Sequence, residues 1–388
     1  MSNDLTFNQL STVLNQIQKQ ATGSTSIVAT ETDFVTVGQM VLKTGYDTTL
    51  SAISQVLTRT LFSNRPYAAK FKGLQVSNQR FGNITRKLSI ADKDFEDDDR
   101  QKLVDAASID QYIVNKPNVL ELNFYGANVY QKSITIFKDQ LDQAFNSASE
   151  FGSFISMVMG NMSDLLEQAR EGLARTTLAN FIAGKVEGDT TNVISLITEY
   201  NTLTGLALTK ADIFKPENFK DFMQWVDSRV MELSSLMTER SQKYHINITD
   251  KAISRHSPFA KQKMYLLGLY KYGIQSRVLA DMFNQGRMKL ADSETVNFWQ
   301  AIDTPEDINV QSTYLVAAGT LSEASAAVET TDVFGVMFDE EALGFTLVNQ
   351  WSSPTPFNAR GGYSNIYFHE TGRYWTDYTE NGIVLLLK

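Results

Sequence analysis

The chain has 388 residues, of which 43% are hydrophobic and 20% are charged, a composition typical of a globular protein long enough for two hydrophobic cores. It has no cysteine, which excludes disulfides, thiolate metal sites and cysteine nucleophiles, and its three histidines argue against a histidine-rich metal cluster. The net charge of -9 argues against a surface that grips nucleic acid. No apolar run approaches the roughly 20 residues that span a membrane, and the N-terminus lacks signal-peptide features, so we expect a cytoplasmic protein.

The N-terminal region combines two predicted helices with a polar stretch between them. Apolar residues in 5–17 recur at helical spacing, but this short helix buries too little to fold alone. Residues 21–32 are rich in Ser, Thr, Gly and Ala, which indicates an extended or mobile arm. Asp47 then caps a second helix that ends before Asn64.

Residues 75–137 have the alternation typical of β-strands. Strand-like runs occur at 83–90, 120–124 and 129–137. The pattern predicts one long β-hairpin that projects from the body of the protein. Because isolated hairpins are marginal in water, we expect it to rest on a neighbouring molecule.

An acidic run lies within that predicted hairpin. Residues 92–99 hold six carboxylates in eight positions. Such a run belongs at an exposed tip, either solvated or facing a basic patch on a neighbour. A Ca²⁺ loop is the competing interpretation, but the run lacks the central glycine and fixed alternation of an EF-hand.

The longest predicted element is a helix at about 147–183. Ser147 and Glu150 form a Ser-x-x-Glu capping box, and Gly184 or Gly188 is a plausible end. At 1.5 Å per residue this helix is roughly 55 Å long. It fits a broad scaffold or the core helix of an α+β enzyme. The apolar stripe that defines it comprises Phe151, Phe154, Ile155, Val158, Met162, Leu165, Leu166, Ala169 and Leu173.

The second half of the chain reads as mixed helix and strand. Pro216 begins a helix with an apolar inner face, and Ser257 with Pro258 begins another that ends at Tyr272 and Gly273. The last strand is apolar on both faces, so we expect it inside a sheet. The predicted strands are 245–248, 274–280, 308–316, 333–338, 345–348, 366–369 and 382–387.

The sequence holds no common catalytic or nucleotide-binding motif. His245 and His256, with Asp250 between them, could act in acid–base chemistry, although surface hydrogen bonding is the commoner role for such residues. A C-terminal aromatic group could stack on bases or sugars, but with only Arg360 and Arg373 interleaved, an aromatic core or subunit interface is favoured. This group comprises Trp351, Phe357, Tyr363, Tyr367, Phe368, Tyr374, Trp375 and Tyr378.

The order of these elements resembles the major capsid proteins of tailed double-stranded DNA bacteriophages, which have the α+β HK97-like fold. An arm, a projecting hairpin with a polar tip, a very long helix, a mixed α/β insertion and a closing sheet follow one another. The C-terminal runs VFGVMFDEEALGF at 333–345, FNARGGYSN at 357–365 and YWTDYTENG at 374–382 are also similar to the ends of phage head proteins. The resemblance covers nearly the whole chain.

The resemblance implies a domain division. It comprises an N-terminal arm at 1–45, a first part of the peripheral (P) domain at 46–74, an extended (E) loop at 75–137, the P-domain spine helix at 138–187, the axial (A) domain at 188–300, and the P-domain sheet and C-terminus at 301–388. Few residues precede the E-loop, so we expect a separate scaffolding protein or none. Lys93 near the tip makes an intersubunit cross-link conceivable.

The resemblance also implies the function. We expect a structural protein, not an enzyme, that needs no cofactor or metal and assembles as hexamers and pentamers into an icosahedral shell around double-stranded DNA. The expected partners are other copies, portal and scaffolding proteins, and decoration proteins as a further candidate, with no membrane. Synthesis is expected in the bacterial host cytoplasm. The residues expected to contact a neighbouring subunit are Asp94, Glu96, Asp97, Asp98, Asp99 and Arg100.

Two other interpretations remain open from the sequence. An encapsulin-like nanocompartment would share the fold but enclose a protein cargo. A soluble enzyme whose polar site leaves no sequence signature belongs to a different class, and His245, Asp250 and His256 would then be its first candidates.

Overall fold

The computed structural model describes most of the chain. The described residues are 7–63, 71–75, 85–92, 98, 100, 104–106, 108–110, 112, 114, 116–125, 127–268, 270 and 293–388. Only the backbone is described at 57–63, 72, 157, 159–164 and 293.

The described residues form helices and strands in mixed order. The helices are α1 (Phe7–Thr22), α2 (Glu31–Leu42), α3 (Tyr46–Ser63), α4 (Lys138–Ala144), α5 (Ala148–Gly188), α6 (Leu196–Thr204), α7 (Lys210–Ile213) and α8 (Pro216–Thr238). The strands are β1 (Thr85–Ile90), β2 (Val119–Phe124), β3 (Asn128–Phe137), β4 (Val193–Ser195), β5 (Gln262–Leu267), β6 (Ser293–Val296), β7 (Ile308–Val310), β8 (Thr313–Leu315), β9 (Leu321–Glu323), β10 (Val328–Thr330), β11 (Val333–Asp339), β12 (Leu343–Pro354), β13 (Tyr363–Thr376) and β14 (Gly382–Leu386).

The chain divides into two compact units, each built from three segments. Unit one comprises 1–82, 127–173 and 345–373, and unit two comprises 83–126, 174–344 and 374–388. This division differs from the one implied by the resemblance, because 301–344 belongs with the segment predicted as the A domain. Helix α5 contributes its residues up to Leu173 to unit one and the remainder to unit two.

Unit one has a helical core in which the N-terminal region is folded. Leu14 on α1 and Phe34 on α2 are fully buried in the same cluster as Phe151 of α5. Thr30 and Asp33 form a capping box that starts α2. The extended stretch predicted at 21–32 is present at 23–30, which is non-helical and mostly exposed, whereas α2 is a helix that the sequence analysis did not predict.

The start of α5 is capped from two directions. Ser147 Oγ accepts a hydrogen bond from the Glu150 amide at 3.1 Å, and Glu31 Oε1 accepts one from the Ala148 amide at 2.6 Å. A carboxylate at a helix N-terminus is stabilised by the free amides and the helix dipole. Glu31 thus ties α2 to the start of the longest helix.

The sheet of unit one has the strand order β12-β13-β3. Strand β3 pairs antiparallel with β13 over ten positions, from Asn128 with Gly372 to Phe137 with Tyr363. The prediction that β3 forms part of the projecting hairpin is therefore wrong, because its backbone hydrogen bonds go to a strand more than 200 residues later. Among the described residues, the paired strands of the hairpin are β1 and β2.

A buried ionic cluster joins α5 to this sheet. Arg170 donates to both oxygens of Glu370, at 3.1 and 2.7 Å, and to Glu167 at 2.7 Å. Gln350 on β12 donates to Glu370 at 2.7 Å. The three charged side chains are at most 5% exposed. Buried charges need such partners, since an unpaired one costs several kcal/mol, on the order of 3–5.

Unit two is organised around a five-stranded sheet with the order β4-β14-β11-β5-β6. Strand β14 lies inside it, parallel to β4 and antiparallel to β11, as its two-sided apolar pattern predicts. All the predicted inner-face residues of α8 are buried, from Phe219 to Met237.

Two predictions in unit two are wrong. The helix expected after Pro258 is a short 3-10 turn followed by β5, whose last four residues are all buried. A strand buried on both faces has no alternation to distinguish it from a helix. Residues 245–248 form no strand, only an isolated bridge from Ile248 to Lys251. The strand predicted at 274–280 lies outside the described residues.

Helix α5 continues through Gly184, where an end was predicted, to Gly188. The reason for a glycine at 184 is close packing, because an added Cβ would overlap Tyr378 Oη. That hydroxyl donates to the carbonyls of Asn180 at 3.1 Å and Thr313 at 2.8 Å. The glycine at 184 therefore leaves room for the buried side chain of Tyr378 to pass across the helix.

We expect the Glu370→Ala substitution to lower the free energy of unfolding by about 3 kcal/mol, because it removes the carboxylate that accepts two hydrogen bonds from the buried Arg170 guanidinium. Urea denaturation of the unassembled chain measures this. Asp142→Ala removes the exposed pair with Lys138 and serves as the control, with a much smaller expected change. Equal losses for both variants would contradict a structural role for the buried cluster.

We expect Gly184→Ala to destabilise the chain and Gly172→Ala, on the same helix, to leave it as stable or up to about 1 kcal/mol more stable. A Cβ at 184 meets Tyr378, whereas one at 172 meets no atom within 4 Å. Thermal melting of both variants checks this, and an equal rise in melting temperature would show that Tyr378 does not restrict position 184.

Candidate functional site

The β1–β2 hairpin is the segment that the sequence analysis selected for contact with other molecules. Its six antiparallel pairs run from Thr85 with Phe124 to Ile90 with Val119. The hairpin belongs to unit two, so its contacts with that unit can be followed atom by atom.

A lysine on β1 anchors the hairpin. Lys87 Nζ lies 2.8 Å from Asp377 Oδ2 and 2.5 Å from Glu380 Oε1. Both carboxylates are buried, and Lys87 is 19% exposed. Arg255 adds a second cation, 3.1 Å from Glu380 and 3.1 Å from Ser89 Oγ. Two cations thus face two carboxylates beneath the hairpin.

Burial alone would lower the pKa of Lys87, but attraction to Asp377 and Glu380 outweighs it, and the pKa of Lys87 is raised above that of a free lysine. A group with a raised pKa in the folded state stabilises that state while it is protonated. The contribution of Lys87 is therefore complete below the unfolded-state pKa of 10.5 and is lost as the pH rises beyond it.

A second set of contacts holds the loop end of the hairpin, beyond the Ile90–Val119 pair. Asp92 pairs with Arg240 at 2.5 Å and accepts the Ser254 amide at 2.5 Å, while its own amide donates to the Ala252 carbonyl at 3.0 Å. On the β2 side, Asn118 donates to the Asp250 carbonyl at 2.5 Å and Lys251 to the Val119 carbonyl at 3.0 Å. The loop end of the hairpin is therefore docked on the 240–255 segment.

The two faces of strand β1 are reversed relative to an ordinary surface strand. The polar side chains of Lys87 and Ser89 point to the unit's own body, whereas Leu88 and Ile90 are 58% and 66% exposed. Val119, opposite Ile90, is 41% exposed. The remainder of β2 has the ordinary pattern, with apolar residues inward and polar residues outward. The outward face of the hairpin is therefore mixed, with exposed aliphatic side chains beside the Arg86–Glu121 ion pair.

Most of the predicted acidic tip lies outside the described residues. This holds for Asp94, Glu96, Asp97 and Asp99. Asp98 and Arg100 are exposed and pair with each other, with Arg100 Nε 2.9 Å from Asp98 Oδ2. Hydrogen bonds from Arg100 lower the pKa of Asp98, so this carboxylate stays ionised well into the acidic range.

The predicted spine-helix residues lie where α5 meets the core of unit one. Phe151, Phe154 and Val158 are buried, and Leu165 is half-buried. The side chain of Met162 lies outside the described residues. These positions pack the subunit internally.

A cavity of about 440 Å³ lies beside the loop end of the hairpin. Six charged groups in its lining form ion pairs: Arg240 with Asp92, Arg255 with Glu380, and Lys261 with Glu341. His256 and Asp339 line it as well. Its lining comprises Ile90, Asp92, Arg240, Ile253, Ser254, Arg255, His256, Pro258, Lys261, Asp339, Glu341 and Glu380.

The proposed acid–base pair is not assembled. His245 is buried, with Nε2 2.7 Å from the Ile253 carbonyl and Nδ1 3.1 Å from Asn381 Oδ1. Burial lowers the pKa of His245, so it is neutral at pH 7. It is a buried structural residue and not the surface one predicted, and the described contacts do not join it to Asp250. His256 is exposed at the cavity.

The C-terminal aromatic residues separate into two sets. Phe368 and Tyr378 are buried, as a core role predicts. Trp351 is 46% exposed and stacks on His369, with ring centroids 3.9 Å apart. Part of the group is therefore a surface feature.

Within the described part of the chain, no group of three or more His, Asp or Glu side chains is placed to hold a metal ion. Among the same residues, no helix is both long enough and apolar enough to span a membrane.

Sequence reasoning missed the Lys87 anchor, because Lys87 and Asp377 are 290 positions apart. The local signals were a lysine on the same face of β1 as Thr85 and Ser89, and two carboxylates, Asp377 and Glu380, in an aromatic segment. Each is unusual at a buried position unless it is paired.

We expect Lys87→Met to increase amide hydrogen exchange in β1 and β2, because it leaves Asp377 and Glu380 buried without their nearest cation. Arg86→Met is the matched control, since Arg86 is the preceding residue and forms an exposed pair with Glu121 at 2.7 Å. Hydrogen exchange read by mass spectrometry distinguishes the two. Unchanged protection in the Lys87 variant would contradict the anchor.

Comparison with known proteins identifies the family and the fold. The sequence model of the Phi29-like phage major capsid protein family matches residues 11–386. No curated protein sequence matches the chain.

Two solved structures show the same fold. One is a chain in the capsid structure of Staphylococcus phage Andhra, with a TM-score of 0.57 and 12% identity over 84% of this chain and 86% of that one. The other is a chain in the structure of the head fiber and inner core protein gp22 of native bacteriophage P68, with a TM-score of 0.56 and 13% identity over 83% of this chain and 85% of that one.

These similarities decide between the interpretations that the sequence left open. The predicted α+β, HK97-like capsid fold is confirmed, whereas the encapsulin alternative is not supported. The chain belongs to the Phi29-like phage major capsid protein family and is a major capsid protein of a tailed phage, a structural component of the virion.

Proposed function

We propose that this chain assembles as hexamers and pentamers into an icosahedral shell that encloses the double-stranded DNA of the phage. The family match over residues 11–386 carries this proposal. The exposed aliphatic residues of β1 support it, because Leu88 and Ile90 are suited to contact with another subunit.

The elements then take the roles that the resemblance implies. The hairpin is the E-loop, α5 is the spine helix, and the sheet containing β14 belongs with the A-domain segment of unit two. The helices α1 and α2 lie in the segment 1–45, which the resemblance assigns to the N-terminal arm. Tip residues Asp94 to Arg100 contact basic residues of a neighbouring subunit.

The interior of the shell faces the genome without sequence-specific binding. A net charge of -9 limits adhesion to DNA, since both are negative. The protein acts by forming interfaces and has no catalytic role. Portal and scaffolding proteins, with decoration proteins as a further candidate, complete the particle, which is built in the host cytoplasm.

The first test is negative-stain electron microscopy and sedimentation of the chain expressed alone and with the neighbouring genes of its genome. We expect closed shells of uniform size, or hexameric rings where a scaffolding protein is missing. Dispersed monomers or dimers under both conditions would contradict the proposal.

We expect Asp97→Ala, Asp98→Ala and Asp99→Ala together to weaken contacts between capsomers, because the tip loses most of its charge. The urea concentration that dissociates the shells measures this, and high salt should reduce the difference from the parent chain. A matched triple variant at Glu217, Asp221 and Glu239, all exposed elsewhere, controls for net charge. Normal shells of unchanged stability would reject the ionic role of the tip.

A further inference from the structure

Residues 241–255, on which the loop end of the hairpin docks, form a closed loop. We call it the docking loop. Ser241 and Arg255 exchange two backbone hydrogen bonds of 2.9 Å, which join the ends of the loop. Inside it, Asn247 Oδ1 accepts the Ile253 amide at 3.2 Å. The docking loop therefore keeps its shape through a few hydrogen bonds among its own residues.

His245 fixes the side of the docking loop that meets the hairpin. Its Nε2 lies 2.7 Å from the Ile253 carbonyl. Ile253 stands between Ala252 and Ser254, the two residues whose backbone groups bind Asp92 of the hairpin. The imidazole thus holds the peptide groups that dock the hairpin.

Both ring nitrogens of His245 face oxygen atoms. Nε2 faces the Ile253 carbonyl and, at 3.2 Å, Asn247 Oδ1, while Nδ1 lies 3.1 Å from Asn381 Oδ1. Because a carbonyl oxygen can only accept, the single proton of the neutral ring belongs on Nε2. The Asn381 amide can turn over to donate to Nδ1, since Ser257 Oγ, at 3.1 Å, can donate as well as accept. Hydrogen bonding therefore accommodates the ring with one proton or with two.

The charges that act on the ring oppose a second proton. His245 is 5% exposed, and burial lowers its pKa below the ordinary value of 6.5. Lys185 of α5 and Arg255 of the docking loop lower the pKa of His245 further, because both are cations. The neutral ring is therefore the form that suits the closed docking loop.

The ion pairs that involve or adjoin these two cations are already balanced. Three cations and three carboxylates take part, on α5 and the turn after it, β1, the docking loop and the segment 377–380. They are Lys185 with Asp189, Lys87 with Asp377 and Glu380, and Arg255 with Glu380. A charged imidazole adds a further buried cation for which these pairs leave no free carboxylate, and an uncompensated buried charge is less stable than one in water.

We propose that His245 is an acid-sensitive switch for hairpin docking: a second proton on the ring opens the docking loop and releases the loop end of the hairpin. In the open state the charged ring lies in water, and the peptide groups beside Ile253 lose their fixed position. Loss of the proton closes the loop again. The switch acts within one chain and does not depend on the proposed shell.

The closed docking loop loses stability in mild acid. Because the pKa of His245 is lower in the closed state, the contribution of the neutral ring is complete above 6.5 and decreases as the pH falls below that value. Burial raises the pKa of Glu380, so protonation of Glu380 in acid favours the closed state instead. The pKa of Asp92 is lowered from 3.8, so this carboxylate stays ionised in mild acid. The direction of the effect therefore distinguishes His245 from both carboxylates.

Hydrogen exchange of the unassembled chain at about pH 7.5 and about pH 5.5 tests the switch, with protection factors that correct for the chemical exchange rate. We expect protection in the docking loop, β1 and β2 to fall roughly five- to tenfold at the lower pH, since one group shifts an equilibrium up to about tenfold per pH unit. Protection in α1 and α2 of unit one should change much less.

The chain has three histidines, so the source of the pH dependence can be identified by single substitutions. His245→Gln keeps a hydrogen-bond donor but cannot take up a proton, and we expect it to remove the pH dependence. His256→Gln is the matched control, because His256 is exposed and directly follows the docking loop. It should behave like the parent chain. The same pH dependence in His245→Gln as in the parent would overturn the switch.

Imidazole NMR of the parent chain, with histidine selectively labelled, gives a measurement that needs no substitution and remains decisive if His245→Gln does not fold. We expect one of the three histidine signals to stay neutral at pH 6.5 and to change only together with the loss of protection in the docking loop. If all three rings become protonated while the docking loop and the hairpin remain protected, the switch is rejected. Neither result bears on whether the chain forms shells.

Discussion

The fold depends on the burial of one side of α5, a helix of 41 residues and roughly 60 Å. A helix of that length cannot remain stable in water on its propensity alone, so its apolar side must be covered in both units. Phe151 and Ile155 lie in the core of unit one, and Leu178 and Phe181 are buried in unit two. The charged side chains that are buried on this helix have specific partners. Arg170 pairs with Glu370, and Lys185 pairs with Asp189 at 2.7 Å. Each unit is therefore assembled around its own segment of the same helix.

The second organising feature is the reversed polarity of strand β1. In a protein that works alone, exposing Leu88 and Ile90 while burying Lys87 would forgo stabilisation of about 1.5–3 kcal/mol for each aliphatic side chain. The buried carboxylates of Asp377 and Glu380 hold Lys87 inward and so fix which face of the hairpin points out. In the proposed shell, the next copy covers the exposed aliphatic residues. Docking of the hairpin within the chain and the proposed contact between chains thus follow from one strand pattern.

Much of the fold could be predicted from local sequence patterns. Helices α5 and α8 could be predicted from their 3.6-residue periodicity, and strand β14 from its two-sided apolar run. Both signals are local properties of the sequence. The failures have physical reasons. Strand β5 is buried on both faces, and the partner of β3 lies far along the chain in β13. The start of α2 did carry a Thr30-x-x-Asp33 capping signal, but the surrounding Ser, Thr and Gly residues obscured it. The Lys87 anchor joins side chains that only the tertiary fold brings together, so no spacing rule could find it.

The central claim is that the surfaces left uncovered on a single chain are those that close the shell. A cryo-electron microscopy reconstruction of assembled particles tests it most directly. The account predicts that in every capsomer Leu88 and Ile90 are covered by a neighbouring copy. Particles in which both side chains remain in contact with solvent would contradict it.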